Sequence, residues 1–153
     1  MEEHEKFMNI ALNLAKKAFE ADEVPVGAVV VRQGVVLGRG YNKKNAKKNA
    51  FFHAEIIAMN AAAKKLGDWR LNDCTLYVTL EPCPMCAGAI INARVKRVVF
   101  GAYDPKAGCC GTLYNLPCDK RFNSRAEVIG GVKEQECGHV LSEYFKQKRI
   151  QKY

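Results

Sequence analysis

The sequence predicts an α/β fold, a three-layer α/β/α sandwich around a mixed sheet of about five strands. Three observations carry that expectation. From Thr75 onward, β-branched runs alternate with helical patterns; upstream of them lie two further runs joined by a tight-turn signal; and the chain opens on an amphipathic helix. Alternation of strand and helix makes at least part of the sheet parallel, because a helical crossover returns the chain in the same direction.

In chain order, Phe7, Ile10, Ala11, Leu14, Ala15, Ala18 and Phe19 recur at three- and four-residue intervals, so residues 3–21 form a helix with Lys16 and Lys17 outside. Gly27 to Arg32 and Val35 to Tyr41 are strands of a hairpin that turns through Gln33-Gly34. His53 to Leu66 is an Ala-rich helix stopped by Gly67. Thr75 to Thr79 reads as a buried strand, Pro84 to Asn92 as a helix opened by proline, and Arg97 to Phe100 as the next strand. A short strand at Glu127 to Ile129 and a helix from Glu134 to Lys148 complete the chain. No repeat, low-complexity tract or linker interrupts these elements, so residues 1–153 are expected to form a single domain.

Hydrophobic residues make up 48% and charged residues 26%, which sets aside disordered and fibrous classes. Lys and Arg number 24 against 16 Asp and Glu, and the net charge of +8 favours polyanionic partners. No apolar run approaches the roughly 18 residues of a membrane span. The opening Met1-Glu-Glu-His-Glu is acidic where a signal peptide is basic, so a cytoplasmic protein without membrane contact is expected. Seven cysteines, an odd number without a secreted-domain rhythm, read as thiols in a reducing compartment.

Two fragments bear chemistry: His53-Ala54-Glu55 and Pro82-Cys83-Pro84-Met85-Cys86, each where the chain turns into a helix. Residues two apart on a regular helix point about 200° away from one another, so His53 and Glu55 serve one site only if His53 sits at the irregular first turn. Cys83 and Cys86 share a face, and a helix N-terminus favours their thiolates. Two thiolates and an imidazole are three ligands of a tetrahedral zinc site, which leaves the fourth position for water as in a catalytic site. Glu55 then stands beside that position as a base. The alternatives are a redox Cys-x-x-Cys pair and a structural zinc site closed by Cys109 or Cys110. Cys74, Cys118 and Cys137 are read as packing or surface residues.

The two fragments together resemble the known signature of zinc-dependent nucleobase deaminases. Further strings extend the likeness: Glu23-Val-Pro-Val-Gly-Ala-Val, Leu76-Tyr-Val-Thr-Leu-Glu before Pro82, Arg97-Val-Val-Phe-Gly-Ala, Arg121-Phe-Asn, and Tyr144-Phe145 followed by basic residues. Over roughly residues 3–149 the chain resembles the cytidine deaminase-like superfamily and, within it, the bacterial tRNA-specific adenosine deaminase family. That resemblance implies a cytidine deaminase-like fold and one zinc ion per subunit on His53, Cys83 and Cys86, with Glu55 as proton shuttle and a zinc-activated water as nucleophile. It also implies conversion of adenosine to inosine at the anticodon wobble position, with tRNA-Arg as the expected substrate, by a homodimer. By the same resemblance Asn42 contacts the target base, and Val26, Ala54, Leu80 and Pro82 line the pocket. Asp104 and Lys106 belong to a loop near the RNA backbone, and Phe145 is placed to stack on a nucleotide. Phe51-Phe52 and Cys109-Cys110 depart from the family's pattern.

Candidate phosphate contacts are Lys43, Lys44, Lys47 and Lys48 beside Asn42, and Lys146, Lys148 and Arg149 near the end; such runs are also common on solvated faces. An anticodon stem-loop suits the chemistry because its bases are already exposed. Two other functions fit the same motifs: a deaminase of free guanine, cytosine or a nucleoside, and a non-catalytic zinc-stabilised RNA-binding module, which would need a fourth protein ligand.

Overall fold

The computed structural model describes the backbone of residues 1–152 and side chains through residue 151. Its element order is α1 (Glu2–Glu20), β1 (Gly27–Arg32), β2 (Val35–Tyr41), α2 (Ala54–Leu66), β3 (Thr75–Leu80), α3 (Pro84–Asn92), β4 (Arg97–Ala102), β5 (Glu127–Ile129) and α4 (Glu134–Lys152), with one 3₁₀ turn at Leu116–Cys118. The expected helices and strands are all present. Differences are confined to their ends: β3 and β4 run on to Leu80 and Ala102, where the two remain paired, and α4 continues beyond residue 148.

Five strands form one sheet in the order β2-β1-β3-β4-β5. Strand β1 is antiparallel to both neighbours, whereas β3, β4 and β5 are parallel. The hairpin turns through Gln33 and Gly34, both at positive φ (50° and 77°), the backbone of the two-residue turn that matches strand twist. Helices α1 and α4 touch one another and cover one face, while α2 covers the other with α3 packed beside it. The apolar stripe of α1 is buried through Phe7, Ala11, Leu14, Ala15 and Ala18, and Glu2, Glu3 and Glu5 sit in its first turn, where the helix dipole favours acids. Strand β3 is buried on both faces by Leu76, Tyr77 and Val78, each worth roughly 1.5–3 kcal/mol of apolar transfer or more for the aromatic.

Two glycines let α2 approach unusually close. A methyl at Gly38 would stand 2.7 Å from the Ala62 nitrogen, and one at Gly40 would stand 2.8 Å from the Ala58 nitrogen. Strand β2 therefore presses directly on the helix backbone. The consequence for function is at the sheet edge where β3 and β4 end: β2 also ends there, and β1 begins there with Gly27 opposite Tyr41. Val26, Asn42, Leu80 and Asp104 thus emerge together, and α2 and α3 start beside them. Open α/β sheets bind ligands at such an edge. Among the described residues, no helix is long and apolar enough to cross a membrane.

Candidate active site

His53 is the residue before α2, with extended backbone (φ −78°, ψ 153°), and Cys83 holds the same position before α3 (φ −76°, ψ 175°). Pro84 fixes the first turn of α3, and Cys86 follows on the same side. The irregular first turn demanded of His53 is therefore present. Its Nδ1 lies 3.6 Å from Cys83 Sγ and 3.5 Å from Cys86 Sγ. Zinc bonds of about 2.3 Å to sulfur and 2.0–2.1 Å to nitrogen, set at the tetrahedral angle, place S and N about 3.6 Å apart. The three side chains therefore fit zinc, and among the described residues they are a group that could hold a metal ion, with ligand atoms within 4.8 Å of one another. Cys109 and Cys110 are buried but lie outside that group, so the closed four-ligand alternative is not realised.

The donors are electrostatically coupled. A hydrogen bond from Cys86 lowers the Cys83 thiol to about 4, against the opposing effect of burial. Cys86 is pushed up by the same hydrogen bond and by burial, and the bond to Cys83 raises His53. A divalent cation held here would be bound by both sulfurs as thiolates, because metal ligands bind deprotonated.

Glu55, in the first turn of α2, is 4% exposed and faces the same cavity without joining the ligand group. Burial raises its carboxyl to about 7. The cavity, about 310 Å³, is walled by Val26, Asn42, Leu80 and Asp104 together with His53, Glu55 and Cys83. Asn42 does double duty: its Oδ1 accepts from Ala54 N–H at 2.8 Å, and its Nδ2 donates to Val24 C=O at 3.1 Å. One N–H and one lone pair of the amide remain for a ligand.

A larger groove of about 710 Å³ adjoins the cavity, sharing Val24, Leu80 and Asp104, and is lined further on by Tyr103, Lys106, Phe145, Lys148 and Arg149. Phe145 is 45% exposed, edge-on to Tyr144, so it faces the groove and does not pack in the core. Lys148 pairs with Asp22. Lys44 reaches the cavity rim, and Lys43 lies with its ammonium 4.8 Å from the Tyr41 ring centroid. Lys47, Lys48 and Lys146 are exposed and line neither space, which splits both basic clusters expected from sequence. Two further corrections concern the pocket wall. Ala54 is fully buried in the core with its N–H held by Asn42, and Pro82 is buried with its carbonyl bonded to Cys109 N–H; both stand behind the cavity instead of lining it.

Sequence reasoning assigned no role to two buried acids at the cavity. Glu23, 1% exposed, accepts from the backbone of Asn45 (3.0 Å) and Ala46 (2.7 Å). Glu81, 2% exposed, accepts from Asp104, Cys110 and Thr112 N–H at 3.0, 3.1 and 3.0 Å and from Thr112 Oγ1 at 2.5 Å. The available signal was an acid flush against an apolar run, in Leu80-Glu81-Pro82 and in Glu23-Val24-Pro25-Val26. Asp104 closes its own turn, its Oδ1 accepting from Lys106 and Ala107 N–H at 3.0 and 3.2 Å.

An α/β sandwich with an open His/Cys/Cys group and a buried glutamate at one cavity is a deaminase, and residues 2–149 match the MafB19-like deaminase family. More narrowly, the chain belongs to the family of tRNA-specific adenosine deaminases. It is 51% identical over 152 residues to the tRNA-specific adenosine deaminase of Bacillus subtilis (strain 168), covering 99% of this chain and 94% of that one. A solved structure from a study of A-to-I editing by tRNA:A34 deaminases at the wobble position of transfer RNA superposes with a TM-score of 0.85 at 40% identity, covering 89% of this chain and 99% of that one. The guanine deaminase of Nitrosomonas europaea shares the fold at a TM-score of 0.77 and 27% identity, covering 92% of this chain and 83% of that one.

Proposed function

We propose that this protein hydrolytically deaminates adenosine to inosine at the wobble position of a tRNA anticodon loop, tRNA-Arg being the expected substrate. The observation that carries this reading is the continuity of the small cavity holding Glu55 and the His53/Cys83/Cys86 group with a groove of exposed aromatic and basic side chains. The names of the Bacillus subtilis relative and of the tRNA:A34 structure support it.

Zinc on His53, Cys83 and Cys86 would supply, when bound, a Lewis acid that activates water near neutral pH. Glu55 takes one proton of the attacking water to N1 of the adenine, where inosine keeps it, and then carries the second proton of that water from the oxygen now on C6 to the leaving amine, so that ammonia departs. Asn42, with its spare N–H and lone pair, orients the base, and Val26 and Leu80 give the ring apolar walls. In the groove, Phe145 stacks on a neighbouring nucleotide while Lys106, Lys148 and Arg149 meet phosphates. We further propose that residues 1–153 act as one deaminase-type domain in a cytoplasmic homodimer.

A second reading, deamination of free guanine or a nucleoside, is favoured by the likeness to the guanine deaminase. Zinc-loaded protein incubated with an ACG anticodon stem-loop, beside free adenosine, guanine, cytosine and cytidine, separates the two. Inosine in the stem-loop alone is the expected result; turnover of a free base or nucleoside with none of the RNA would overturn the substrate assignment.

A further inference from the structure

We infer that Glu81 is a positioning residue for the RNA substrate: it anchors the 103–112 loop as the wall shared by the cavity and the groove. The carboxylate is 2% exposed, and its four bonds divide evenly, Oε1 taking Asp104 N–H and Thr112 Oγ1, Oε2 taking Cys110 and Thr112 N–H. A carboxylate has about four acceptor sites. All are committed, so Glu81 is not a spare base or a metal ligand although it borders the cavity two residues before Cys83.

The donors come from both ends of one loop, and a buried charge is costly unless such bonds compensate it. The loop is shaped to wrap this group. A Cβ at Gly108 would collide with the Glu81 carboxyl and stand 2.6 Å from the Asp104 carbonyl oxygen, so only glycine admits the approach. What the anchor holds in place is functional surface: Asp104 borders both spaces, and Tyr103 and Lys106 line the groove. The Glu81 backbone N–H is itself bonded to Ala102 C=O at 2.9 Å, which ties the carboxylate to the ends of β3 and β4. Loop and sheet edge are thereby one rigid unit, and loosening it should weaken substrate capture more than proton transfer at Glu55.

The inference rests on the stem-loop reading for its kinetic arm, and amide exchange tests it separately. In Glu81→Gln the side chain keeps one carbonyl oxygen and turns an amide toward backbone N–H donors, so at least one donor loses its partner. Expected are a KM for the stem-loop raised about tenfold or more, kcat within about threefold, unchanged zinc content, and faster exchange confined to residues 103–112. Thr112→Val, which removes one of the four donors and folds more readily, should raise KM about threefold with the same local exchange change. Wild-type KM and wild-type exchange in either folded variant would overturn the inference. So would a loss of kcat equal to the rise in KM together with exchange raised across the chain, the result of a merely structural role. A wild-type enzyme inactive on the stem-loop would instead overturn the substrate reading and leave the exchange result to decide the anchoring.

Discussion

Gly40→Ala is the substitution whose consequences the structure specifies most closely. Gly40 pairs with Ala28 in the sheet, and its α-carbon faces the first turns of α2, the helix preceded by His53 and carrying Glu55. A methyl there would stand 2.8 Å from the Ala58 nitrogen and 2.9 Å from Ile57 Cβ, with the Ala54 carbonyl closer still. Comfortable contact needs about 3.5 Å, so the head of α2 must retreat by about 0.7 Å or more. Cys83 precedes α3 and Cys86 lies in its first turn, so both stay where they are while His53 moves relative to the thiols and Glu55 relative to the cavity. Overpacking of this kind costs about 1–3 kcal/mol, or roughly 3–10 °C in Tm for a chain of this size. Misplacement of a reacting group by about 1 Å costs up to 10²-fold, so kcat should fall by about 10- to 100-fold. The assay is single-turnover deamination of the stem-loop at full zinc occupancy, beside thermal unfolding. Gly38→Ala is the control: its methyl would stand 2.7 Å from the Ala62 nitrogen, two turns beyond Glu55, so the stability cost recurs with a smaller loss of kcat. A Gly40→Ala enzyme with wild-type kcat, or a Gly38→Ala enzyme equally impaired, would refute the reasoning.

Other outcomes follow from single features. Glu55→Gln should retain zinc by metal analysis and lose at least 10²-fold in kcat; a zinc-replete variant of wild-type rate would remove the proton shuttle. Chelation at free zinc that had stood near 100 times its Kd should withdraw about 2.7 kcal/mol and lower Tm by roughly 5–10 °C, and an unchanged Tm would mean the ion does not favour the folded state. With three phosphate contacts from Lys106, Lys148 and Arg149, stem-loop affinity should fall with a log–log salt slope of about −2; a flat slope would take these residues out of the RNA site. Burial lowers the pKa of His4, whose Nδ1 lies 2.8 Å from Tyr77 OH, below the ordinary 6.5. The unfolded chain therefore binds that proton first, so this contribution to stability is lost as pH drops through 6.5 toward the folded pKa. His4→Gln should lessen the fall in Tm between about pH 7.5 and 5.5, and an identical fall would rule the histidine out.

Element type was legible throughout because each signal was local: the three- and four-residue apolar spacing of α1, the turn at Gln33-Gly34, and Pro84 opening α3. The metal group was legible for the same reason. His53, Cys83 and Cys86 each sit at a helix start, and helix starts are written in a few adjacent residues. What sequence could not reveal depends on residues far apart in the chain. That Glu81 takes all four of its bonds from residues 104–112, that Ala54 and Pro82 stand behind the cavity, and that Lys106 shares a groove with Phe145 while Lys47 and Lys48 do not, follow only once β3, β4 and α4 pack together. Pattern and capping act over one or two turns of chain, so the sequence by itself determined the elements and the chemistry at their ends. Burial and hydrogen-bond partnership are set by three-dimensional proximity, so the tertiary structure alone decided which acids bind loop backbone, which of them faces the cavity, and which basic residues line the groove.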